Sequence, residues 1–171
     1  IMQMDEGLDT GAILTAETVP ITSEATAADL HDALATLGAA MIVPALSGLD
    51  AGTLHAHPQP NDGATYAKKI AKTDGRLDWR KPAPALDRAI RAFTPWPGAW
   101  FILDGTRIKV QQAIPLDDIG GAPGETLDDE LTIACGDGAL RLLRVQREGR
   151  KAATAEIFLR GRSIPKGTIM S

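Results

Sequence analysis

Residues 1–63 of this 171-residue chain contain no lysine and no arginine. They do hold nine Asp or Glu, so this stretch carries −9 and has nothing to offer a polyanion. All 18 basic residues fall in 64–171, against 13 acids, which makes that part +5 and the whole chain −4. Cysteine is nearly missing as well. Cys135 stands alone, which excludes a disulfide framework and a cysteine zinc site. A reducing, cytosolic setting is expected, with Cys135 a small apolar core residue. No run of 18 apolar residues is present to span a bilayer. The opening "IMQMDEGLDTG" has neither the charged start nor the apolar run of a signal peptide.

What remains is a soluble-type composition, 44% hydrophobic, long enough for one domain or two small ones. The charge split favours two units with different partners, and a basic unit on an acidic protein points toward a polyanion. In the first unit, Ile1, Met2 and Met4 read as the end of a strand entering a Gly- and Asp-rich loop. "AILTAETVPI" reads as a second short strand. Leu30, Leu34, Leu37 and Met41 recur at helical spacing, and Thr26 with Asp29 resembles a capping box. Pro44 is expected to kink or end that helix. The Gly-, Pro- and Asp-rich stretch that follows reads as a linker.

In the second unit, "PAPALDRAIRAF" sets Leu86, Ile90 and Phe93 on one helical face, and "PWPGAW" stops that helix. Two strand-like runs flank Asp104-Gly105, a hairpin signal, and the pattern repeats around "GDG" at 136–138. "APGET" reads as a turn with room for one more short strand. "TAEIFLRG" reads as a short helix with Thr154 as N-cap and Gly161 past its end. Four or five short strands with few helices predict a small β-barrel of OB type.

Several residues invite a chemical reading. His55 and His57 share one face of an extended chain but have no third ligand nearby, and His31 reads as a surface residue. Asp5 and Asp9 stand on the first loop, where "LDTG" also makes sense as a plain turn. Lys68, Lys69 and Lys72 would share one helical turn and form a positive edge. Arg141, Arg144, Arg147, Arg150 and Lys151 follow along the last hairpin, and point charges of this kind read phosphates without sequence specificity. On an unbroken strand Arg141 and Arg147 share a face and Arg144 takes the other, unless a bulge intervenes. Trp96 and Trp100 flank a Pro-Gly corner, where large rings more often plug a core than serve as stacking platforms for bases.

"IMQMDEGLDTG", "TYAKKIAKTDGRLDW", "IRAFTPWPGAW" and "IACGDGALRLLRVQREGRK" with "FLRG" together resemble the methionyl-tRNA formyltransferase family, in order and throughout the chain. The resemblance implies an α/β remnant of a Rossmann-like formyltransferase domain (1–58), a linker (59–68) and a mainly β, OB-like tRNA-binding domain (69–171). It implies formyl transfer from 10-formyltetrahydrofolate to the amino group of methionyl initiator tRNA, by a monomeric cytoplasmic enzyme with no membrane role. The family's catalytic Asp maps onto Asp9 in "GLDTG". Its catalytic Asn and His belong to a segment resembling "NxHxSLLP", which this chain does not contain. The chain is therefore expected to be the C-terminal portion, inactive alone, with most of the folate site and the insertion that selects initiator tRNA missing. Two other readings are a sugar-nucleotide or other small-molecule formyltransferase of the same superfamily, which would not need the basic half, and a free-standing OB-like nucleic-acid binder, in which "GLDTG" would serve no purpose.

Overall fold

The computed structural model describes residues 1–60 and 62–171; Asn61, inside the expected linker, lies outside the described residues. The chain divides into two compact units, Ile1–Lys69 and Ile70–Ser171.

The first unit is built on one helix, α1 (Ala27–Asp50). Its start is the expected capping box: Asp29 N–H donates to Thr26 Oγ1 and Thr26 N–H donates to Asp29 Oδ2. The Thr26 hydroxyl and amide hold the Asp29 carboxyl below its ordinary value. Pro44 neither ends nor divides the helix. A proline there forfeits one backbone bond, whereas the last turn is secured from outside. Thr53 and Leu54 N–H groups both return to Gly48 O, and the chain folds back over a turn that buries Ala45. By length and composition alone α1 is apolar enough to cross a bilayer, and it leaves Leu34, Ile42, Val43, Leu46 and Leu49 exposed.

The two strands expected before α1 do not form. Ile13 makes single antiparallel bridges to Met2 and to His57, and backbone hydrogen bonds join 1–3 to 12–15, too short a ladder to make a strand. A strand needs a continuous partner on at least one edge, and among the described residues 16–21 join no strand ladder.

The second unit is a curled antiparallel sheet with helices against it. Its strands are β1 (Ala99–Leu103), β2 (Thr106–Leu116), β3 (Thr132–Ala134), β4 (Ala139–Arg147) and β5 (Ala153–Thr154), in the order β1-β2-β4-β3, with β5 also on β4. Asp104 and Gly105 both take positive φ, 45° and 72°, as a two-residue hairpin turn demands. In the β2–β4 ladder, Val110 pairs with Val145, Gln112 with Arg144 and Ala113 with Leu142, so Gln111 and Leu143 are each an extra residue. Such bulges bend strands and tighten sheet curl. The carboxy-terminal segment bonds Ile102 of β1 through Ser171 and bonds residues 124–126 through Met170 and Thr168, and Thr126 bridges Ile133 of β3. Backbone pairing therefore runs around the whole unit.

The core inside this curl is aliphatic: Leu103, Ile108, Val110, Leu131, Ile133, Leu140, Leu142 and Val145 are all at most 1% exposed. Helix α2 (Ala83–Ala92) lays Leu86 and Ile90 on it, and Trp79 meets Phe101 edge-on at 5.6 Å. Cys135 is buried with them, and burial pushes its thiol up to about 11, as expected of an inert core cysteine. "APGET" supplies only isolated bridges, at Glu125 and Thr126. Helix α3 (Ala155–Gly161) is N-capped by Thr154, and Gly161 is its last residue rather than the one beyond.

The loop before β3 is pinned by Asp128, whose Oδ1 accepts from the N–H groups of Glu130 (2.9 Å) and Thr132 (3.0 Å) while Oδ2 meets Arg141 at 3.3 Å. Burial opposes the Asp128 charge, but these hydrogen bonds and the guanidinium outweigh it and hold its pKa below 3.8. A depressed folded pKa contributes stability that is complete above the unfolded value and fades as pH falls through the folded one. Asp128→Asn should therefore lower the Tm near neutrality, with the gap between the two proteins narrowing as the pH falls through the acid range. Thermal melts across the acid range check this; a gap that persists undiminished at the lowest pH would contradict it.

Candidate nucleic-acid interface and catalytic loop

The loop 5–11 is a small hydrogen-bonded structure. Asp5 Oδ1 accepts from Gly7 N–H (2.9 Å) and from the Thr10 hydroxyl (2.5 Å), so Asp5 is committed to the turn. Asp9 takes φ 57°, in the left-handed region that Asp tolerates better than most residues. No hydrogen bond to its carboxylate is found among the described residues, and the side chain is exposed. Gly11 is required by close approach: a Cβ there would stand 1.8 Å from Gln3 O.

Sequence reading missed Gln59, which lay in what looked like linker. Its amide Nε2 donates to the carbonyls of both Asp9 (2.9 Å) and Gly11 (2.7 Å) and so clamps the loop from 48 residues away. Asp9 and Gln59 line a cleft of about 540 Å3 with Leu34, Leu37 and Met41 of α1. His57 serves backbone pairing with Ile13, and exposed His31 pairs with Asp32. Among the described residues no group of three His, Cys, Asp or Glu is placed to hold a metal.

The expected basic residues do not form one array. Lys68 and Lys69 end the first unit in irregular chain, and Lys72 opens a 3-10 turn (Lys72–Gly75) in the second, so no helical turn joins the three. The bulge at Leu143 resets the alternation along β4. Arg141 pairs with Ile114 and Arg144 with Gln112, both on the outer face, whereas Arg147 stands opposite buried Ile108. Arg141 and Arg144 therefore share a face, and Arg147 does not join them. Arg141 is also occupied: its guanidinium meets Glu130 at 2.8 Å, Asp128 at 3.3 Å and the Thr132 hydroxyl at 3.1 Å. Arg144, Arg147, Arg150 and Lys151 are exposed and have no ion-pair partner among the described residues.

The tryptophans also divide. Trp79 is in the core at 4% exposed, but Trp96 is 55% exposed, contrary to the expectation that it plugs the interior. Pro97 is buried in its place, turning the ring outward. Trp100 is half-buried with Arg107 above its ring at 4.3 Å and Arg76 at 5.8 Å, and its Nε1 donates to Lys72 O. No spacing in the sequence betrays that stack; it needs the β1–β2 register.

Residues 69–163 match the family described as "Formyl transferase, C-terminal domain". Proteins named methionyl-tRNA formyltransferase from Paramagnetospirillum magneticum and Ruegeria pomeroyi are 54% and 53% identical over 99% and 98% of the chain. The chain spans about half the length of these curated relatives, 56% and 55%. HypX from Aquifex aeolicus, solved in complex with tetrahydrofolic acid, superposes with a TM-score of 0.68 at 19% identity, covering 99% of this chain and 33% of that one. The sugar 3N-formyl transferase WlaRD gives 0.64 at 19% identity over 88% of this chain and 54% of that one. At such identities the likeness is one of fold.

The clamp by Gln59 can be tested directly. Gln59→Ala should loosen the loop by about 1 kcal/mol, the net value of a typical hydrogen bond. Amide exchange at Gln3 and Leu14, whose N–H groups bond to Ala12 O and Ile1 O across this loop, should then speed up roughly fivefold. Unchanged rates would show that the loop holds its shape without the clamp. The extent of the family match and the agreement of fold together place the chain in the formyl transferase C-terminal domain family.

Proposed function

We propose that this chain is the C-terminal portion of an enzyme that transfers a formyl group from 10-formyltetrahydrofolate to the amino group of methionyl initiator tRNA. The observation that carries the reading is 54% identity, over 99% of the chain, to a relative bearing the name methionyl-tRNA formyltransferase. In this reading 1–58 close a Rossmann-like catalytic domain, 59–68 link, and 69–171 form an OB-like domain that docks tRNA. The backbone pairing that circles the second unit supports the barrel. The exposed apolar side of α1 is the face that packs on the rest of the catalytic domain, not on a bilayer, and the enzyme works as a cytoplasmic monomer. A small-molecule formyltransferase is less well supported, because the likeness to the sugar enzyme is confined to fold.

Formyl transfer to an amine needs a neutral nucleophile, donors for the tetrahedral oxyanion and a route for the amine's proton. The folate supplies the formyl carbon. From this chain, Asp9 is the residue that reaches the reacting centre. Its carboxylate is free of internal partners at the edge of a cleft, as a group must be that orients a histidine and stabilises its charge. Asp5, the rival carboxylate, is spent on its own turn. Without the Asn and His partners, Asp9 has nothing to orient, and this chain alone turns over no substrate.

The C-terminal unit's task is phosphate contact, through Lys72, Arg144, Arg147, Arg150 and Lys151, with Lys68 and Lys69 of the first unit's end contributing as well, while Arg141 holds the Asp128 loop. Titrating the chain with methionyl initiator tRNA over a salt series tests this. Binding at micromolar or tighter Kd, with log K falling several units per unit log salt, is expected, since about 0.9 of a unit accrues per phosphate engaged on a duplex. Absence of binding at low salt, or binding indifferent to salt, would contradict it.

A further inference from the structure

A cavity of the second unit lies on the outer face of the β1–β2 hairpin and its junction with β4, at the end of the same sheet face that carries Arg144. It encloses about 460 Å3, within the usual range of small-molecule sites at about 300–1,000 Å3. A cross-strand row forms its floor: Trp100 stands opposite Lys109, and Lys109 opposite Gln146. Lys72, Arg107 and Arg147 add three cations around it, and Glu148 is the single acid in the lining. Trp96 makes the wall with an exposed ring, and Pro97 carries it.

Each part is held in position by the fold. Arg107 is stacked on Trp100, so its guanidinium is fixed at low entropic cost, with its N–H edges left for a ligand. Lys109 lies across the backbone of Gly98, its Nζ 3.4 Å from where a Cβ would stand, which aims the ammonium toward the Trp96 corner. Gln146 is tied by Gln111 and by its own bond to Arg150 O, so the floor does not yield. Trp100 is covered by guanidinium groups, whereas Trp96 has no aromatic or cationic partner among the described residues.

A free indole beside fixed cations has the chemistry of a nucleotide site: the ring takes a base on its face, and the cations take the flanking phosphates. A folded duplex offers no free base face, so the fit is to an unpaired nucleotide. We infer that the Trp96–Trp100 groove binds one unpaired nucleotide of an RNA strand, with the base stacked on Trp96 and the adjoining phosphates held by Lys72, Arg107 and Lys109. This deepens the tRNA-docking reading above and rests on it for the choice of RNA. It also moves the centre of that surface from the arginines of β4 to the β1–β2 hairpin.

The test uses the whole chain and its Trp96→Ala, Trp96→Phe and Lys109→Gln variants. Each is titrated at several salt concentrations with a fluorescein-labelled single-stranded octaribonucleotide and, separately, with folded initiator tRNA. Trp96 is exposed, so its replacement leaves the core intact, and circular dichroism checks this. Trp96→Ala should weaken octamer binding about tenfold with an unchanged salt slope, as loss of one stacked base does, and Trp96→Phe should recover most of it. Lys109→Gln should instead reduce the slope by about 0.7, the share of one single-strand phosphate. Octamer binding equal in all four proteins would overturn the inference, as would AMP competing as well as the octamer, which would mark a mononucleotide pocket. If tRNA binds the parent tightly but neither Trp96→Ala nor Lys109→Gln affects either ligand, the groove is excluded and the tRNA-docking reading stands. If the octamer binds through Trp96 while tRNA binds no better than the octamer, the groove stands and the initiator-tRNA reading fails.

Discussion

Strand β4 is paired along both edges, with β2 on one side and with β3 and then β5 on the other. That double pairing is the constraint on which the second unit depends. Leu140, Leu142 and Val145 can all face inward only because Leu143 is bulged between them, and the same bulge curls the sheet until its far side is joined by the carboxy-terminal residues. The outward consequences follow from the same register. Arg141 and Arg144 are brought to one face, and the matching bulge at Gln111 leaves Lys109 in line with Trp100 and Gln146. A strand shifted by one residue would turn every one of these side chains to the opposite face.

The first unit has no such closure. Its helix shows a long apolar surface to solvent, and its extended segments pair only over 1–3 with 12–15 and at Ile13 with His57 among the described residues. What it does fix, it fixes locally: a capping box at Thr26, a turn organised by Asp5, and a clamp from Gln59 onto the Asp9 loop. The Asp9 carboxylate on that clamped loop has no hydrogen-bond partner among the described residues, which suits the role proposed for it. That agrees with a chain spanning about half the length of the relatives it matches.

The sequence made local structure legible where one residue type has one physical use. Thr26 with Asp29, Asp104-Gly105, the GDG turn and Thr154 marked their elements to within a residue or so. Pro44 misled because proline predicts the loss of one hydrogen bond but says nothing of what the following turn packs against. The strand expected in "AILTAETVPI" failed because pairing is decided by a partner, not by β-branched residues. The candidate site was legible as composition, a basic half with three tryptophans, but not as geometry. Which arginine is neutralised, which indole is exposed and which cation is stacked all depend on register and on contacts between distant residues such as Arg141 and Asp128. Gln59 gave no local signal, since a lone amide in a Pro-rich stretch resembles any other linker residue.

The central claim is that the second unit meets RNA through its β1–β2 hairpin. Hydrogen exchange of the chain, measured with and without saturating methionyl initiator tRNA, addresses it most directly. The account predicts new protection at Lys72 and across 96–109 and 146–149, with little change over β3 and the Asp128 loop. Protection confined to β3, the 128–132 loop and the Arg141–Arg144 stretch, with 96–109 unaffected, would contradict it.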